Sequence, residues 1–257
     1  YLMRNIKLNI SDNDFLKIFL IKDYSLLWFS SFTSMLSMQI RIIATGFILY
    51  DITGSGLSLG MLGIIQLFFQ LPSILYGGVL ADFFKRTTII TISQSFGTVV
   101  IFILFYLTFT ESINEWHIYI STALLSINST IGGPARSALT ANLVPKKLLI
   151  NAVAANTATM QIGSVAAPIL FGLFTVSFGA SYPLLIGSSA ALISAISCIF
   201  IKNDNYIKNT NKMQPIKNII EGFIYVKEHP ILPGLYLLDI GVTVVSFYRQ
   251  IMPLIAD

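Results

Sequence analysis

Long apolar stretches, separated by polar connections of unequal length, run along this chain of 257 residues. Seven of them reach the roughly 20 residues that a helix needs to cross the apolar core of a bilayer. We place them at Tyr24–Tyr50, Leu57–Leu80, Thr88–Phe109, His117–Leu139, Ala152–Phe178, Tyr182–Ile201 and Ile231–Ala256. Because the stretches are continuous, they indicate membrane helices rather than the alternating strands of a barrel. The pattern predicts an all-α membrane protein that lies in a lipid bilayer.

Composition supports this prediction and narrows the function. Hydrophobic residues make up 54% of the chain and charged residues 11%, whereas an ordinary soluble domain is about 25% charged. A soluble fold of this size cannot bury so much apolar surface, which argues against a soluble enzyme, a nucleic-acid binder or a disordered chain. The single cysteine, Cys198, excludes a disulfide framework and a metal site built from cysteines.

The basic residues indicate which way the chain crosses the membrane. Two of the 16 Lys and Arg residues, Arg41 and Arg249, are assigned to the interior of a stretch. The others are assigned to the N-terminal segment, to the connections after the second and sixth stretches, or to the region between the fourth and fifth, with which Arg136 near the end of the fourth stretch is counted. The other three connections carry only acidic charges, at Asp51, Glu111 and Glu115. Lys and Arg mark cytoplasmic loops, so we expect a multi-pass protein of the cell (inner, cytoplasmic) membrane with a cytoplasmic N-terminus. The positive charge is then an orientation signal, and no nucleic-acid partner is expected.

The connections divide the chain into four parts. Residues 1–23 are predicted to form a cytoplasmic segment with an amphipathic helix, and residues 24–201 to hold six transmembrane helices. Residues 202–230 are predicted to form a cytoplasmic linker with a second amphipathic helix, and residues 231–257 to hold a seventh transmembrane helix. A solvated linker is the alternative for each amphipathic segment. The chain starts without Met and stops just after an apolar stretch, so we expect it to be part of a longer protein.

The connection after the second stretch carries the most specific motif, Gly-Gly-Val-Leu-Ala-Asp-Phe-Phe-Lys-Arg at residues 77–86. Glycines allow sharp turns and close approach of helices, and a carboxylate at a helix end bonds free amide groups. Such charges can engage in one conformation and separate in another. Gly78, Asp82 and Arg86 are therefore predicted to form a cytoplasmic gate motif, with an ordinary interfacial turn as the alternative.

This motif resembles the signature of the major facilitator superfamily, Gly-x-Leu-Ala-Asp-Arg-x-Gly-Arg-Arg. The signature is matched at Gly78, Leu80, Ala81, Asp82 and Arg86. It is not matched at Phe83, Lys85 and Thr87. Residues 49–55, 133–136, 143–152 and 221–230 are similar to the branch of that family that contains enterobactin exporters and macrolide-efflux pumps. Together the similar segments cover nearly the whole chain.

The resemblance implies an all-α bundle of the superfamily, built from two six-helix halves. Residues 24–201 are then expected to be the N-terminal half, and residues 231–257 the start of a C-terminal half that this chain lacks. It also implies a small-molecule substrate, protons as the coupling ion, and a monomer at full length.

The fifth stretch resembles a motif of family members that work as exporters. The motif is represented by Gly163, Ala167, Pro168 and Gly172. Ala167 and Phe171 stand in place of two of the motif's glycines. Small residues permit close helix contact, and a proline loosens the helix that contains it. This resemblance favours an antiporter that exports, with generic helix packing as the alternative.

Three charges lie within the predicted membrane helices: Arg41, Asp239 and Arg249. Each costs roughly 2.5–3.5 kcal/mol at a helix centre, so each is expected to face a cavity or a partner. We expect Asp239 to take and release a proton, and Arg41 or Arg249 to sense that charge or contact substrate. A static ion pair, or an arginine that reaches the outer surface, is the alternative. No basic residue occupies 124–128, where many proton-coupled exporters of the family carry a buried arginine.

Neutral polar residues also lie inside the stretches, and some of them are expected to line a pore. They are Gln39, Gln66, Gln70, Gln94, Asn128, Asn156 and Gln161. Interhelical hydrogen bonding is the alternative. Met35, Met38 and Met160 are candidates for an adaptable apolar surface, with core packing as their alternative.

Nothing in the sequence points to catalysis. There is no Gly-x-x-x-x-Gly-Lys-Ser/Thr motif, and no serine–histidine–acid or paired-carboxylate arrangement. His117 and His229 each lack a second His or Cys nearby, so no metal site is expected. We expect no enzyme, no catalytic residue and no cofactor.

The sequence thus predicts a secondary active transporter that exports small amphipathic or cationic molecules, such as drugs, macrolides or siderophore-like compounds. Export would be coupled to protons and proceed by alternating access. An importer or facilitator of the same fold is one alternative, and a non-transporting, truncated membrane scaffold is another.

Overall fold

The structure, a computed structural model, describes residues 14–83, 85–202, 229, 231–235 and 237–238. At positions 14, 71, 72 and 74–83 it describes the backbone alone. Within these residues the fold is all-α, as predicted. Six long helices make up the bundle: α1 (Lys22–Thr53), α2 (Gly56–Phe83), α3 (Arg86–Phe109), α4 (Glu115–Leu143), α5 (Leu149–Phe178) and α6 (Tyr182–Ile199). A short helix, Asp14–Lys17, and a 3-10 turn, Ile18–Leu20, precede α1, and a second 3-10 turn, Lys146–Leu148, precedes α5.

The six helices coincide with the first six apolar stretches. The N-terminal amphipathic helix is predicted at Phe15–Ile21, where the structure has the short helix Asp14–Lys17 and the 3-10 turn Ile18–Leu20. The linker lies almost wholly outside the described residues. In the seventh apolar stretch, the structure describes helix at residues 232–235 and 237–238. The chain forms two compact units, residues 1–210 and 211–257, and the six-helix bundle belongs to the first.

Local signals in the sequence set the helix ends. Gly54 ends α1 with a left-handed φ of 58°, a conformation that glycine adopts without steric cost. Asn114 starts α4 with a capping box, in which its Oδ1 accepts from the His117 amide and His117 Nδ1 accepts from the Asn114 amide, both at 3.2 Å. His117 therefore caps a helix.

Four described helical segments are long and apolar enough to cross a membrane by length and composition: α1, α3, residues 146–178 and α6. The apolar part of α2 that carries described side chains, Gly56–Gln70, is shorter. The polarity of α4 has a structural cause, because its buried positions include Ser121, Thr122 and Ser126. This helix lies inside the bundle, where polar side chains can find partners.

Packing places α1 and α4 at the centre of the bundle. Helix α1 packs chiefly against α6 and α5, α3 against α6 and α4, and α2 against α4. Apolar side chains such as Leu57, Ile150 and Val176 point outward and are 80%, 81% and 90% exposed. Apolar outer faces around a partly polar interior are what a membrane bundle requires.

One end of the bundle gathers the basic connections, and we call it the basic end. The Tyr24 hydroxyl donates to the Ala152 carbonyl there at 3.2 Å and ties α1 to α5. The Lys202 amide donates to Asp23 Oδ1 at 3.4 Å and ties the residues after α6 to the start of α1. The basic end is the one predicted to face the cytoplasm.

Candidate functional site

A cavity of about 340 Å³ opens inside the bundle between α1, α3, α4, α5 and α6. Its wall combines polar groups with a larger apolar area. The polar wall residues are Ser31, Ser34, Ser37, Arg41, Ser93, Gln94, Asn128, Ser129, Arg136, Ser137, Asn156 and Thr159. An interior polar surface of this kind is costly in a membrane bundle unless a ligand or water uses it, so the cavity is the candidate functional site.

Arg136 is a charged residue of this wall. It lies inside α4, about 10 Å before the helix ends at Leu143, at a rise of 1.5 Å per residue. Its Nη1 donates to the hydroxyls of Ser30 and Ser31, and its Nη2 donates to the hydroxyl of Ser194, all at 3.1 Å. The guanidinium thereby joins α4 to α1 and α6.

The three serines present lone pairs to Arg136 because each donates its own proton elsewhere. Ser30 Oγ donates to the Ser194 carbonyl at 3.0 Å, and Ser194 Oγ donates to the Ser30 carbonyl at 2.7 Å. Ser31 Oγ donates to the Leu27 carbonyl at 2.9 Å. The hydrogen bonds use three of the five N–H groups that a guanidinium has, but the serines are neutral, so its positive charge is not cancelled.

Arg41 lines the same cavity from α1. It follows Ser31 by ten positions, about 15 Å along the helix axis. Its side chain is half-buried. Within the described part of the chain, no side chain or carbonyl forms a hydrogen bond or ion pair with its guanidinium. The cavity therefore carries two positive charges at two depths.

Helices α3 and α4 meet beside the cavity through Ser93 and Asn128. Ser93 Oγ donates to Asn128 Oδ1 at 2.8 Å, and Asn128 Nδ2 donates to the Ser93 carbonyl at 2.9 Å. A Cβ at Gly132 would lie 3.2 Å from Ser93 Oγ, so glycine allows this close approach. Asn128 lines the cavity and also forms hydrogen bonds to a neighbouring helix, so it has both the pore-lining role and the interhelical role that the sequence left open.

The methionine candidates and part of the fifth-helix motif meet at the α1–α5 contact. Met35, Met38 and Met160 line the cavity. A Cβ at Gly163 would lie 2.8 Å from Met35 Cγ, so glycine at residue 163 leaves room for the Met35 side chain at this contact.

The other residues of the fifth-helix motif are placed differently. Ala167 is fully buried, whereas Pro168 is exposed, and a Cβ at Gly172 would meet nothing within 4 Å. Gly163 and Ala167 are thus the buried part of the motif, and Pro168 and Gly172 lie away from that contact.

Of the predicted gate residues, Arg86 is described with its side chain. It begins α3, and its Nη1 donates to the Ala138 carbonyl of α4 at 3.1 Å, while its buried Nε has no hydrogen-bond partner among the described residues. Gly78 and Asp82 lie in the last turns of α2, where only the backbone is described. Asp239 and Arg249 lie outside the described residues.

Sequence reasoning missed Arg136. It was counted with the loop residues that orient the chain, but the structure places it within α4 and on the cavity wall. The signal was available, because residue 136 lies inside the predicted stretch His117–Leu139. Residues 124–128 of α4 lack a basic residue, as the sequence shows. The same helix nevertheless supplies a positive charge to the cavity through Arg136, which lies nearer the basic end.

The chain is similar to a known protein family and to single members of it. The family model described as Major Facilitator Superfamily matches residues 27–256. An uncharacterized MFS-type transporter of Bacillus subtilis, YfiS, is 24% identical over 178 residues, which are 66% of this chain and 42% of that protein. The enterobactin exporter EntS of Escherichia coli O1:K1 is 23% identical over 184 residues, 72% of this chain and 44% of that protein. The chain thus spans less than half of the length of these relatives, and the resemblance stated from its motifs is confirmed.

Proposed function

Because the chain belongs to the Major Facilitator Superfamily, we propose that it is the N-terminal half, linker and seventh helix of a secondary active exporter. The whole protein moves small amphipathic molecules out of the cell by alternating access, with protons as the coupling ion. It works as a monomer in the cytoplasmic membrane, with its N-terminus and basic end on the cytoplasmic side.

The observation that carries this proposal is a cavity with polar and charged wall residues inside a bundle with apolar outer faces. A static membrane scaffold gains nothing from a half-buried Arg41 whose guanidinium donates no hydrogen bond to the described residues, since a charge inside a membrane helix costs roughly 2.5–3.5 kcal/mol. A transporter gains a binding site, since substrate contacts repay that cost during each cycle.

Export as the direction is supported by two features. One relative is named as an enterobactin exporter. The second is the exporter-like motif in α5, whose Gly163 packs against Met35 of the cavity wall. A contact this close lets a small rotation of α5 change the shape of the cavity, and Pro168 removes one backbone hydrogen bond that would resist such a movement.

The gate is assigned to Gly78, Asp82 and Arg86. Arg86 of α3 holds the basic end of α4 through the Ala138 carbonyl, two residues from Arg136. In the conformer closed to the cytoplasm this bond is made, and Asp82 at the neighbouring end of α2 adds its charge to the latch. Opening separates these groups and admits substrate to the cavity.

Proton coupling is assigned to Asp239, with Arg249 on the same predicted helix. Asp239 is an acidic residue of that predicted helix, and a carboxylate can bind and release a proton. Binding and release of one proton then accompany each change of conformation.

The experiment measures the accumulation of a macrolide, a catecholate siderophore and a lipophilic dye in cells that express the full-length protein. We expect lower accumulation of at least one compound, reversed by a protonophore and by Asp239→Asn, and unchanged by the control Asp51→Asn at the exposed end of α1. Uptake into inverted vesicles checks direction. Higher accumulation in the cells that express the protein would identify an importer. Efflux that is unchanged by the protonophore would refute proton coupling.

A further inference from the structure

We propose that the cavity binds amphipathic organic anions, and that Arg41 is the residue that receives their charge. The proposal rests on the proposed transport function and names the class of substrate. It is argued from the charges of the cavity wall, the hydrogen bonds of its two arginines and the apolar residues beside them.

The described wall of the cavity has an excess of positive charge. Arg41 and Arg136 both line it, and no Asp or Glu is among its described lining residues. Positive charge that is held inside a bundle and not cancelled attracts an oxyanion. The same charge repels a cation, so organic cations are disfavoured even though they are common cargo for efflux systems in general.

Arg136 contributes a fixed positive potential. Its hydrogen bonds go to Ser30, Ser31 and Ser194, whose own protons are donated to backbone carbonyls. The guanidinium is therefore held in one place by neutral acceptors. It raises the potential of the cavity at the basic end, and three of its N–H groups are already bonded to the serines.

Arg41 is in the opposite situation. Arg41 lines the cavity, and its guanidinium donates no hydrogen bond to the described residues and forms no ion pair with them. It presents a planar set of donors that matches a carboxylate or a similar oxyanion in two-point contact. Arg41 is therefore the group whose hydrogen-bonding capacity an anionic ligand completes.

The rest of the wall suits a ligand with an apolar body. Met35, Met38 and Met160 are joined there by Ile101 and Leu125. Methionine side chains adapt to differently shaped apolar surfaces. The volume of about 340 Å³ lies in the range of small-molecule sites, roughly 300–1,000 Å³. The ligand is thus a small organic molecule that carries one oxyanion on an aromatic or aliphatic body.

The test uses the full-length protein in lipid nanodiscs and three probes of nearly equal shape. They are 1-naphthoate, which is anionic, 1-naphthamide, which is neutral, and 1-naphthylmethylammonium, which is cationic. Equilibrium dialysis gives the dissociation constants. We expect 1-naphthoate to bind at least about tenfold more tightly than the other two, a factor that corresponds to about 1.4 kcal/mol.

Variants then assign the preference to Arg41. Arg41→Gln is expected to abolish the preference for 1-naphthoate and to leave 1-naphthamide binding unchanged, while Arg41→Lys keeps most of it. Lys146→Gln removes an equal charge from an exposed position outside the cavity and is expected to change nothing. If Arg41→Gln does not fold, Ser34→Asp serves instead. Ser34 lines the cavity two turns before Arg41, and a carboxylate there is expected to remove the preference.

Each outcome decides between the proposals. The anion proposal is overturned if no probe binds, if 1-naphthoate binds no better than its analogues, or if Arg41→Gln or Ser34→Asp keeps the preference. A counterflow assay in proteoliposomes separates this result from the proposed function. Arg41-dependent binding without flux refutes transport and leaves the anion site standing. Flux of the cationic probe without preference for 1-naphthoate refutes the anion site and leaves transport standing.

Discussion

Ser30 of α1 and Ser194 of α6 exchange two hydrogen bonds, each hydroxyl donating to the other residue's carbonyl at 3.0 Å and 2.7 Å. Both side chains are fully buried, at 0% exposure, and their hydroxyl oxygens lie 2.9 Å apart. Each oxygen also accepts from Arg136 of α4. One pair of serines therefore joins two helices and holds the cavity's fixed charge.

Replacement of Ser194 is expected to destabilise the bundle. Ser194→Ala removes the bond to the Ser30 carbonyl and one acceptor of Arg136, and it leaves buried groups without partners. A buried polar group without its partner costs about 1–3 kcal/mol, more where a charge is involved. The free energy of unfolding of the full-length protein in detergent, measured by denaturant titration, is expected to fall by about that amount.

The matched control is Ser189→Ala on the same helix. The Ser189 hydroxyl is exposed and donates to the Leu185 carbonyl of its own helix at 2.8 Å. Its loss is expected to change the unfolding free energy by less than about 0.5 kcal/mol. The double variant Ser30→Ala, Ser194→Ala is expected to cost less than the sum of the single variants by about 0.5–3 kcal/mol. Additive effects would contradict a coupled pair.

The positions of the six helices could be predicted from sequence because length and apolarity suffice for a membrane helix. Thr88–Phe109 was predicted, and the structure has Arg86–Phe109. Most helices extend a few residues beyond the predicted apolar stretches, because capping residues such as Asn114 and Gly54 set their ends. These residues lie outside the stretches, so a count of apolar residues does not find them.

The cavity could be predicted only in part. Arg41 stood out because a charge within an apolar stretch is costly. The role of Arg136 depends on Ser30 and Ser194, which are 106 and 58 residues away in sequence. Serines are common in membrane helices, so no local pattern marks these two as acceptors for an arginine. Contacts of this kind appear only when the helices are packed together.

Gly163 is predicted to tolerate no branched side chain. A Cβ there already lies 2.8 Å from Met35 Cγ, so Gly163→Val forces α5 away from α1. Overpacking of this kind costs typically 1–3 kcal/mol. We expect a loss of unfolding free energy in that range and reduced efflux of the compounds that the full-length protein exports.

Gly172→Val is the control for this prediction, because a Cβ at Gly172 meets nothing within 4 Å. It is expected to leave stability and efflux close to those of the natural protein. Gly163→Val combined with Met35→Ala is expected to regain much of the lost stability, since the shorter side chain vacates the space. If Gly172→Val is as damaging as Gly163→Val, the α1–α5 contact is not the reason for the loss.

The proposed orientation predicts which side of the membrane each end faces. Lys146 lies at the basic end and Glu111 at the other end, and both are exposed. A cysteine at Lys146 is expected to react with an impermeant maleimide in inverted vesicles and not in intact cells. A cysteine at Glu111 is expected to show the reverse. Cys198 is buried, so its own reaction contributes little, and labelling of both sites from one side would refute the orientation.

The bond from Arg86 to the Ala138 carbonyl predicts how the gate responds to mutation. Arg86→Gln removes the donor that holds the basic ends of α3 and α4 together, so the cavity is expected to open to the cytoplasm more often. A cysteine at Ser137, an exposed residue of the cavity wall, reports this opening. Its labelling rate in inverted vesicles is expected to rise roughly fivefold, the factor that about 1 kcal/mol for one hydrogen bond allows.

Lys85→Gln separates this bond from the general effect of positive charge at the same connection. Lys85 is exposed, and its side chain makes no capping hydrogen bond to α3. Its loss is therefore expected to leave the labelling rate at Ser137→Cys unchanged. An equal rise for Lys85→Gln would mean that local charge, and not the bond to Ala138, controls access. A rate that stays the same in Arg86→Gln would remove Arg86 from the gate, because the cavity would then open as often without its donor as with it.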